Sequence, residues 1–263
     1  MSVLSGRVLL TGASGGIGQA IARAVAPTSS DLILSGRRSE VLEPLAVEVG
    51  ARVIVCDLSR REEVGRLAEE AGPIDVLISN AGVPAGGLLV EFTQEQIDQM
   101  LEVNLRAPIA LARAVTPGMV ERRGGHVVFM SSLQGRSATP VASVYCAAKF
   151  GLRGFALALR EDLRRDGVGV SVVLPGFVRD AGMFADAGAS LPLGVGTRSP
   201  QEVAEGVISA IERNRAEVDV APIPLRVGAA IASVAPALSA AVSRRLGSER
   251  IARRIVAGQR NHR

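Results

Sequence analysis

Six short runs rich in Val, Ile and Leu recur along the chain at residues 7–11, 31–35, 52–56, 74–79, 126–130 and 168–174. Between them lie stretches with apolar residues at helical spacing, at 17–25, 41–49, 62–70, 93–120 and 142–165. A strand that is apolar at consecutive positions needs both faces covered. The alternation therefore selects a parallel sheet held between two layers of helix: a Rossmann-like, doubly wound α/β fold arranged as a three-layer α/β/α sandwich. At 263 residues the chain is long enough for a single domain of this kind with a full core, and no repeat or low-complexity linker divides it. Ligands of such sheets bind at the carboxyl ends of the strands.

After Pro175 the pattern loosens. Residues 179–200 hold six Gly or Pro and little periodicity, which suits a loop over a site. A helix at 201–213 and a strand at 217–220 follow. The expected boundaries are a main domain over 1–221, including the 179–200 loop, and an Ala/Arg-rich helical extension over 222–263. The Ala-rich stretch 227–242 is interrupted by Pro236 and is too short and too weakly apolar for a membrane span. It reads as a packing or oligomer-contact helix. From Arg244 to the end the charge balance is +6, and the rest of the chain sums to −2. The main domain is thus no basic nucleic-acid surface. The Arg-rich end is either a solvated face or a contact with an anionic membrane surface.

Two local features carry chemistry. The first is Thr11-Gly-Ala-Ser-Gly-Gly-Ile-Gly18, which leaves the first strand and opens the first helix. Gly12 permits the tight exit, Gly16 lets a pyrophosphate approach the backbone, and Gly18 lets the helix pack close to the sheet. An anion there meets free N–H groups at the positive end of a helix. Glycine turns without a ligand are common, and here the strand–turn–helix context is what favours a dinucleotide. The second feature is a scarcity. The chain has one Tyr, Tyr145, and one Lys, Lys149, against 29 Arg. Four residues apart on a helix, they share a face. A free phenol with a pKa of about 10 is barely ionised at neutral pH, and an ammonium beside it is expected to lower that value and make it a usable acid and base.

With these residues the chain resembles the classical short-chain dehydrogenases/reductases. The glycine turn, Ser79-Asn80-Ala81-Gly82 after the fourth strand, Asn104, Ser132, Tyr145-x-x-x-Lys149 and Pro175-Gly176 occur in that family's order and spacing. The resemblance implies an NAD(P)-dependent oxidoreductase that interconverts a carbonyl and an alcohol by hydride transfer, with Tyr145 as general acid/base. It implies that Ser132 holds the substrate oxygen, that Lys149 binds the nicotinamide ribose, and that Asn104 holds a water leading from Lys149 to solvent. Ser131 competes for the serine role, but the thirteen-residue spacing to Tyr145 favours Ser132. Gly12, Ser14, Gly16, Ile17, Gly18, Asn80, Ala81, Gly82, Tyr145, Lys149, Pro175, Gly176 and Val178 are the implied cofactor contacts, with Asp57-Leu58 at the adenine. Asp57 also fits a helix N-terminus.

At the end of the second strand, NAD-binding chains carry an acidic residue for the ribose 2′-hydroxyl. Here Gly36 stands in that position and Arg37 and Arg38 follow. Guanidinium groups suit a 2′-phosphate, so NADP(H) is expected over NAD(H), with Arg37 the main contact. A solvated basic turn is the plainer alternative. The run Pro175-Gly-Phe-Val-Arg-Asp180 departs from the family, which often has a Thr where Asp180 stands. The carboxamide would then depend on backbone near Val178 or on Asp180 itself.

Cys56 and Cys146 sit in apolar runs without ligand spacing, and two His leave little for an imidazole site, so neither a disulfide scaffold nor a metal is expected. The first residues lack the basic start and apolar run of a signal peptide, which points to the cytoplasm. The substrate is read as a small, apolar carbonyl or alcohol compound (a bulky ketone, a steroid-like molecule or an acyl thioester), with residues 134–143 and 179–200, including Arg136 and Arg179, lining its pocket. By analogy the chain forms a homo-oligomer, a dimer or tetramer. An NAD(H)-linked steroid-type dehydrogenase and a non-catalytic dinucleotide sensor are the competing functions; the second would be expected to lack Tyr145 or Lys149.

Overall fold

The computed structural model describes residues 3–84, 86–188, 191, 195–245 and 248–259. Seven strands form one parallel sheet: β1 (Arg7–Thr11), β2 (Asp31–Gly36), β3 (Arg52–Val55), β4 (Val76–Ser79), β5 (Gly125–Met130), β6 (Val168–Pro175) and β7 (Glu217–Val220). Their order is β3-β2-β1-β4-β5-β6-β7. The chain order reverses between β1 and β4, and that switch point leaves a crevice at the carboxyl ends of the two strands. The helices are α1 (Gly16–Val25), α2 (Ser39–Val49), α3 (Arg61–Ala71), α4 (Gln94–Leu101), α5 (Ala107–Glu121), α6 (Ser143–Leu163), α7 (Gly182–Asp186), α8 (Pro200–Glu212), α9 (Ile223–Val234), α10 (Pro236–Arg245) and α11 (Ser248–Gln259).

Side-chain alternation divides the core. Val8 and Leu10 of β1 turn to one face, under α1, α2 and α8, with Leu34, Val128 and Val173. Leu9 turns to the other, under α3, α5 and α6, with Ile33, Phe129 and Val172. Every residue of β5 and of β6 is buried, as a strand covered on both faces requires. Phe129 is fully enclosed and meets Phe155 of α6 edge-on, with ring centroids 5.6 Å apart. The fold is the three-layer doubly wound sandwich that the alternation implies.

The structure differs from the sequence expectation in two elements. The expected helix at 93–120 is two helices joined by a π-helical segment, Glu102–Arg106. The expected single stretch at 227–242 is broken after Val234, where Pro236 opens α10. No helix among the described residues is long and apolar enough to cross a membrane.

Candidate active site

At the switch point the glycine turn fills the crevice so tightly that side chains would not fit. Gly12 has φ +67°, and a Cβ there would stand 2.6 Å from Ala81 Cα. A Cβ on Gly18 would fall 2.2 Å from the Gly12 carbonyl oxygen, and one on Gly16 would fall 2.5 Å from Ala181 Cβ. Gly18 therefore seats α1 against the turn, and Gly16 keeps the backbone bare toward the segment after β6. Asn80 fastens the neighbouring strand exit: its amide donates to the carbonyls of Thr11 and Gly12, each at 3.2 Å. Arg38 donates to the Ser14 carbonyl at 2.6 Å, so it braces the turn. Arg37 is exposed at the rim. Asp57 accepts from the Ser59 amide and hydroxyl. Burial pushes its carboxyl up, but the Ser59 hydrogen bonds and the charges of Arg37 and Arg60 outweigh it and hold the pKa low.

Beyond the turn the crevice widens into a cavity of about 1260 Å³. Tyr145 and Lys149 of α6 line it, as do Gly12, Ser14, Gly16, Ile17, Gly18, Arg37, Arg38, Asp57, Leu58, Asn80, Ala81, Gly82, Pro175, Gly176 and Val178. Ser132 lies just after β5. Its hydroxyl accepts from the Gln134 amide at 3.2 Å and faces the Pro175 carbonyl at 3.5 Å; it is the polar neighbour that favours the ionised Tyr145 phenol, though it is not itself among the residues lining the cavity. Ser131 turns the other way and donates to the Lys149 carbonyl at 2.9 Å. Adjacent positions on an extended segment face opposite sides, which is why only one of the two serines meets Tyr145.

Lys149 is buried, and its ammonium donates to the Met130 carbonyl at 2.9 Å while lying 5.6 Å from the centre of the Tyr145 ring. Burial lowers its pKa to about 8. Burial also raises the Tyr145 phenol to about 12, against the opposing effect of its hydrogen bond with Ser132. The sequence reading expected Lys149 to pull the phenol down. In this structure the ammonium is engaged at Met130, and desolvation decides the direction. Asn104 sits in the π-helical segment, fully buried. Its side chain donates to the carbonyls of Val83 and Met100 and accepts from the Val83 amide. It thereby ties the strand exit after Gly82 to the helix, 3.0 Å from where a Gly82 Cβ would stand. With the side chain so engaged, Asn104 is a structural tie between the strand exit and the helix.

Three expected contacts fall elsewhere. Arg136 does not line the cavity; it reaches Glu217 at 2.6 Å and Asp219 at 2.9 Å on β7, and its side chain is only 11% exposed. Arg179 pairs with Asp180 and Glu202 at the surface. Asp180, at φ +64° and exposed, is outside the lining as well. Val178 is buried, and the bridge beside it uses the Phe177 carbonyl and the Arg179 amide, so the Val178 peptide groups face the opposite edge. Residues 189–190 and 192–194 of the 179–200 loop and Arg260 and Arg263 of the tail lie outside the described residues. Val141, inside the expected 134–143 lining, is in the wall, and what the sequence did not reveal is its backbone: this β-branched residue is held at φ +62° while its carbonyl accepts from the Gly87 amide at 2.7 Å. Sequence reasoning missed the wall supplied by α9, α10 and α11, among them Leu225, Ala229, Leu238, Val242 and Val256.

Residues 7–191 match the family described as short chain dehydrogenase. The ketoacyl reductase HetN of Nostoc sp. is 36% identical over 235 residues, covering 86% of this chain and 82% of that protein. The 3-oxoacyl-[acyl-carrier-protein] reductase FabG of Rickettsia conorii is 36% identical over 173 residues, 65% of this chain and 72% of that protein. Among solved structures, a metagenomic short-chain oxidoreductase in complex with NADP superposes with a TM-score of 0.70 at 33% identity, covering 84% of this chain and 99% of that one.

Proposed function

The chain belongs to the short-chain dehydrogenase family, and on that premise we propose that it is an NADP(H)-dependent ketoreductase whose substrate is an apolar 3-oxoacyl thioester. The observation that carries the chemistry is Tyr145 and Lys149 in the wall of a cavity whose other end is the bare glycine turn, with Ser132 behind the phenol as its hydrogen-bonding neighbour. Gly12, Gly16 and Gly18 fit a dinucleotide site: close packing against Ala81, Ala181 and the Gly12 carbonyl keeps the turn tight, and its bare backbone lines the cavity. Arg37 and Gly36 support NADP(H), as does the NADP held by the solved relative. The ketoacyl reductases among the relatives support the substrate class.

When bound, the cofactor supplies the hydride to the carbonyl carbon. The remaining work falls to the chain. Ser132 and Tyr145 hold the substrate oxygen by hydrogen bonds and so orient the carbonyl. A phenol near 12 is protonated at neutral pH, so Tyr145 begins as an acid. As negative charge develops on the oxygen, Tyr145 passes its proton to it, and the alcohol forms. The phenolate left behind is stabilised by the Lys149 ammonium below the ring and regains its proton from solvent. Lys149 then has two positions to serve, the Met130 carbonyl and the ribose hydroxyls. Asn104 acts as a positioning residue that fixes Gly82 and Val83 beside Lys149.

A screen of NADPH consumption across 3-oxoacyl thioesters, simple ketones and steroid ketones tests this reading. Turnover of the thioesters is expected; turnover confined to other classes, or only with NADH, refutes it. We also propose assembly as a homo-oligomer, which sedimentation velocity reads directly. A contact of the tail with anionic membrane is favoured by Ile223, Val227 and Val234, exposed on α9 near Arg226. Co-sedimentation with anionic vesicles, lost in V227D/V234D, is the result expected of it.

A further inference from the structure

The cavity does not end at the catalytic group. It continues under the three helices that follow β7, which lie beyond the stretch matched by the family. The NADP-bound relative is matched over 99% of its own length yet leaves 16% of this chain without a counterpart. Each of the three helices turns a pair of apolar side chains, four residues apart, into the cavity: Leu225 and Ala229 of α9, Leu238 and Val242 of α10, and Ala252 and Val256 of α11. The Ser239 hydroxyl is the one side-chain polar group that the described residues of these helices add to the lining. The helices are attached to the site. The α11 backbone meets α7 so closely that a Cβ on Gly258 would overlap the Ala187 carbonyl, and Ser233 of α9 donates to the Arg136 carbonyl at 3.1 Å.

The wall is also unfinished. Leu238 and Val242 line the cavity and are nonetheless 59% and 47% exposed. Apolar side chains that face a cavity and still meet water are covered when an apolar ligand fills it. We infer that the carboxyl-terminal helices form an acyl-chain subsite, which takes the long aliphatic tail of the substrate whose oxo group sits at Tyr145. This rests on the ketoreductase reading and adds the chain length to it.

The test uses the full-length protein with NADPH and 3-oxoacyl thioesters of about four to about sixteen carbons. Burial of each further methylene is expected to raise kcat/KM by about fourfold until the subsite is full. V256W and A229W, which fill the slot from two helices, are expected to lower the ratio of long-chain to short-chain kcat/KM at least tenfold. Displacement of a fluorescent long-chain fatty acid is measured in parallel and is expected to weaken in both variants, while circular dichroism reports that they fold. A flat chain-length profile with good short-chain turnover overturns the subsite and leaves the ketoreductase reading standing. A polycyclic ketone preferred over every acyl chain also overturns it. If no oxo compound is turned over, the ketoreductase reading fails; fatty-acid binding sensitive to V256W would then still support the subsite, and its absence would overturn that too.

Discussion

The choice between the two nicotinamide cofactors turns on a few atoms at the end of β2, and substitution there should reverse it. A Cβ on Gly36 would stand 3.2 Å from the Ser14 hydroxyl and 3.6 Å from Leu42 Cδ1. A rotating hydroxyl can yield a few tenths of an ångström, so G36D is sterically mild. Its carboxylate would stand where a ribose 2′-hydroxyl is bonded in NAD-binding sheets, and it would repel a 2′-phosphate. Arg37 is the exposed guanidinium at this rim, whereas Arg38 is committed to the Ser14 carbonyl. A hydrogen bond to a charged group contributes about 1.5–3 kcal/mol, or roughly ten- to a hundredfold in affinity. R37A should therefore lower kcat/KM for NADPH by about ten- to a hundredfold and leave NADH nearly unchanged. G36D/R37A should invert the preference. Steady-state kinetics with each cofactor, at saturating ketone, measures this, with thermal unfolding as the control for the turn. Undiminished NADPH preference in the double variant would refute the assignment. So would an equal fall with both cofactors at unchanged melting temperature.

Two further outcomes concern the frame around the site. R136M leaves Glu217 and Asp219 short of a buried partner, and removing one member of such a pair costs about 3–5 kcal/mol; thermal or urea unfolding should show at least about 2 kcal/mol, because Arg153 still reaches Glu217. His126 is buried against the Ser171 hydroxyl at 2.8 Å, and burial, then the Arg160 charge, lower its pKa to about 4. The unfolded chain, with a histidine near 6.5, binds more protons between those values, so this contribution is complete above about pH 6.5 and is lost as pH falls toward 4, by about 3 kcal/mol in all. The H126N variant should show a flatter stability profile over that window, and an unchanged slope would contradict the account.

What could be read in the sequence was local or periodic. Continuous Val/Ile/Leu runs revealed the parallel strands because a doubly covered strand has no polar face to alternate. The glycine turn was legible because its spacing answers to backbone contacts within a few residues, and the Tyr145–Lys149 pair because a helix repeats on one face. The unread features depend on distant partners. The π-helical turn leaves the apolar pattern of 93–120 nearly intact, and it holds Asn104, whose partner Val83 lies some twenty residues away in the chain. Arg136 looked like a cavity residue until β7, some eighty positions away, supplied its carboxylates. The direction of the Tyr145 shift depends on depth and on where the Lys149 ammonium points, which no spacing encodes. The extension after β7 has apolar residues on both the cavity side and the outer side of its helices, so its periodicity is weak and its role as a wall stays hidden.

The central claim is that the Tyr145 hydroxyl delivers the proton. Tyr145→Phe keeps the ring and removes only that hydroxyl. With a 3-oxoacyl thioester and NADPH, kcat/KM should fall by about a hundred- to ten-thousandfold while the dissociation constant for NADPH, read by fluorescence titration, stays within about twofold. Turnover within tenfold of the unaltered protein, with NADPH bound as before, would contradict the claim.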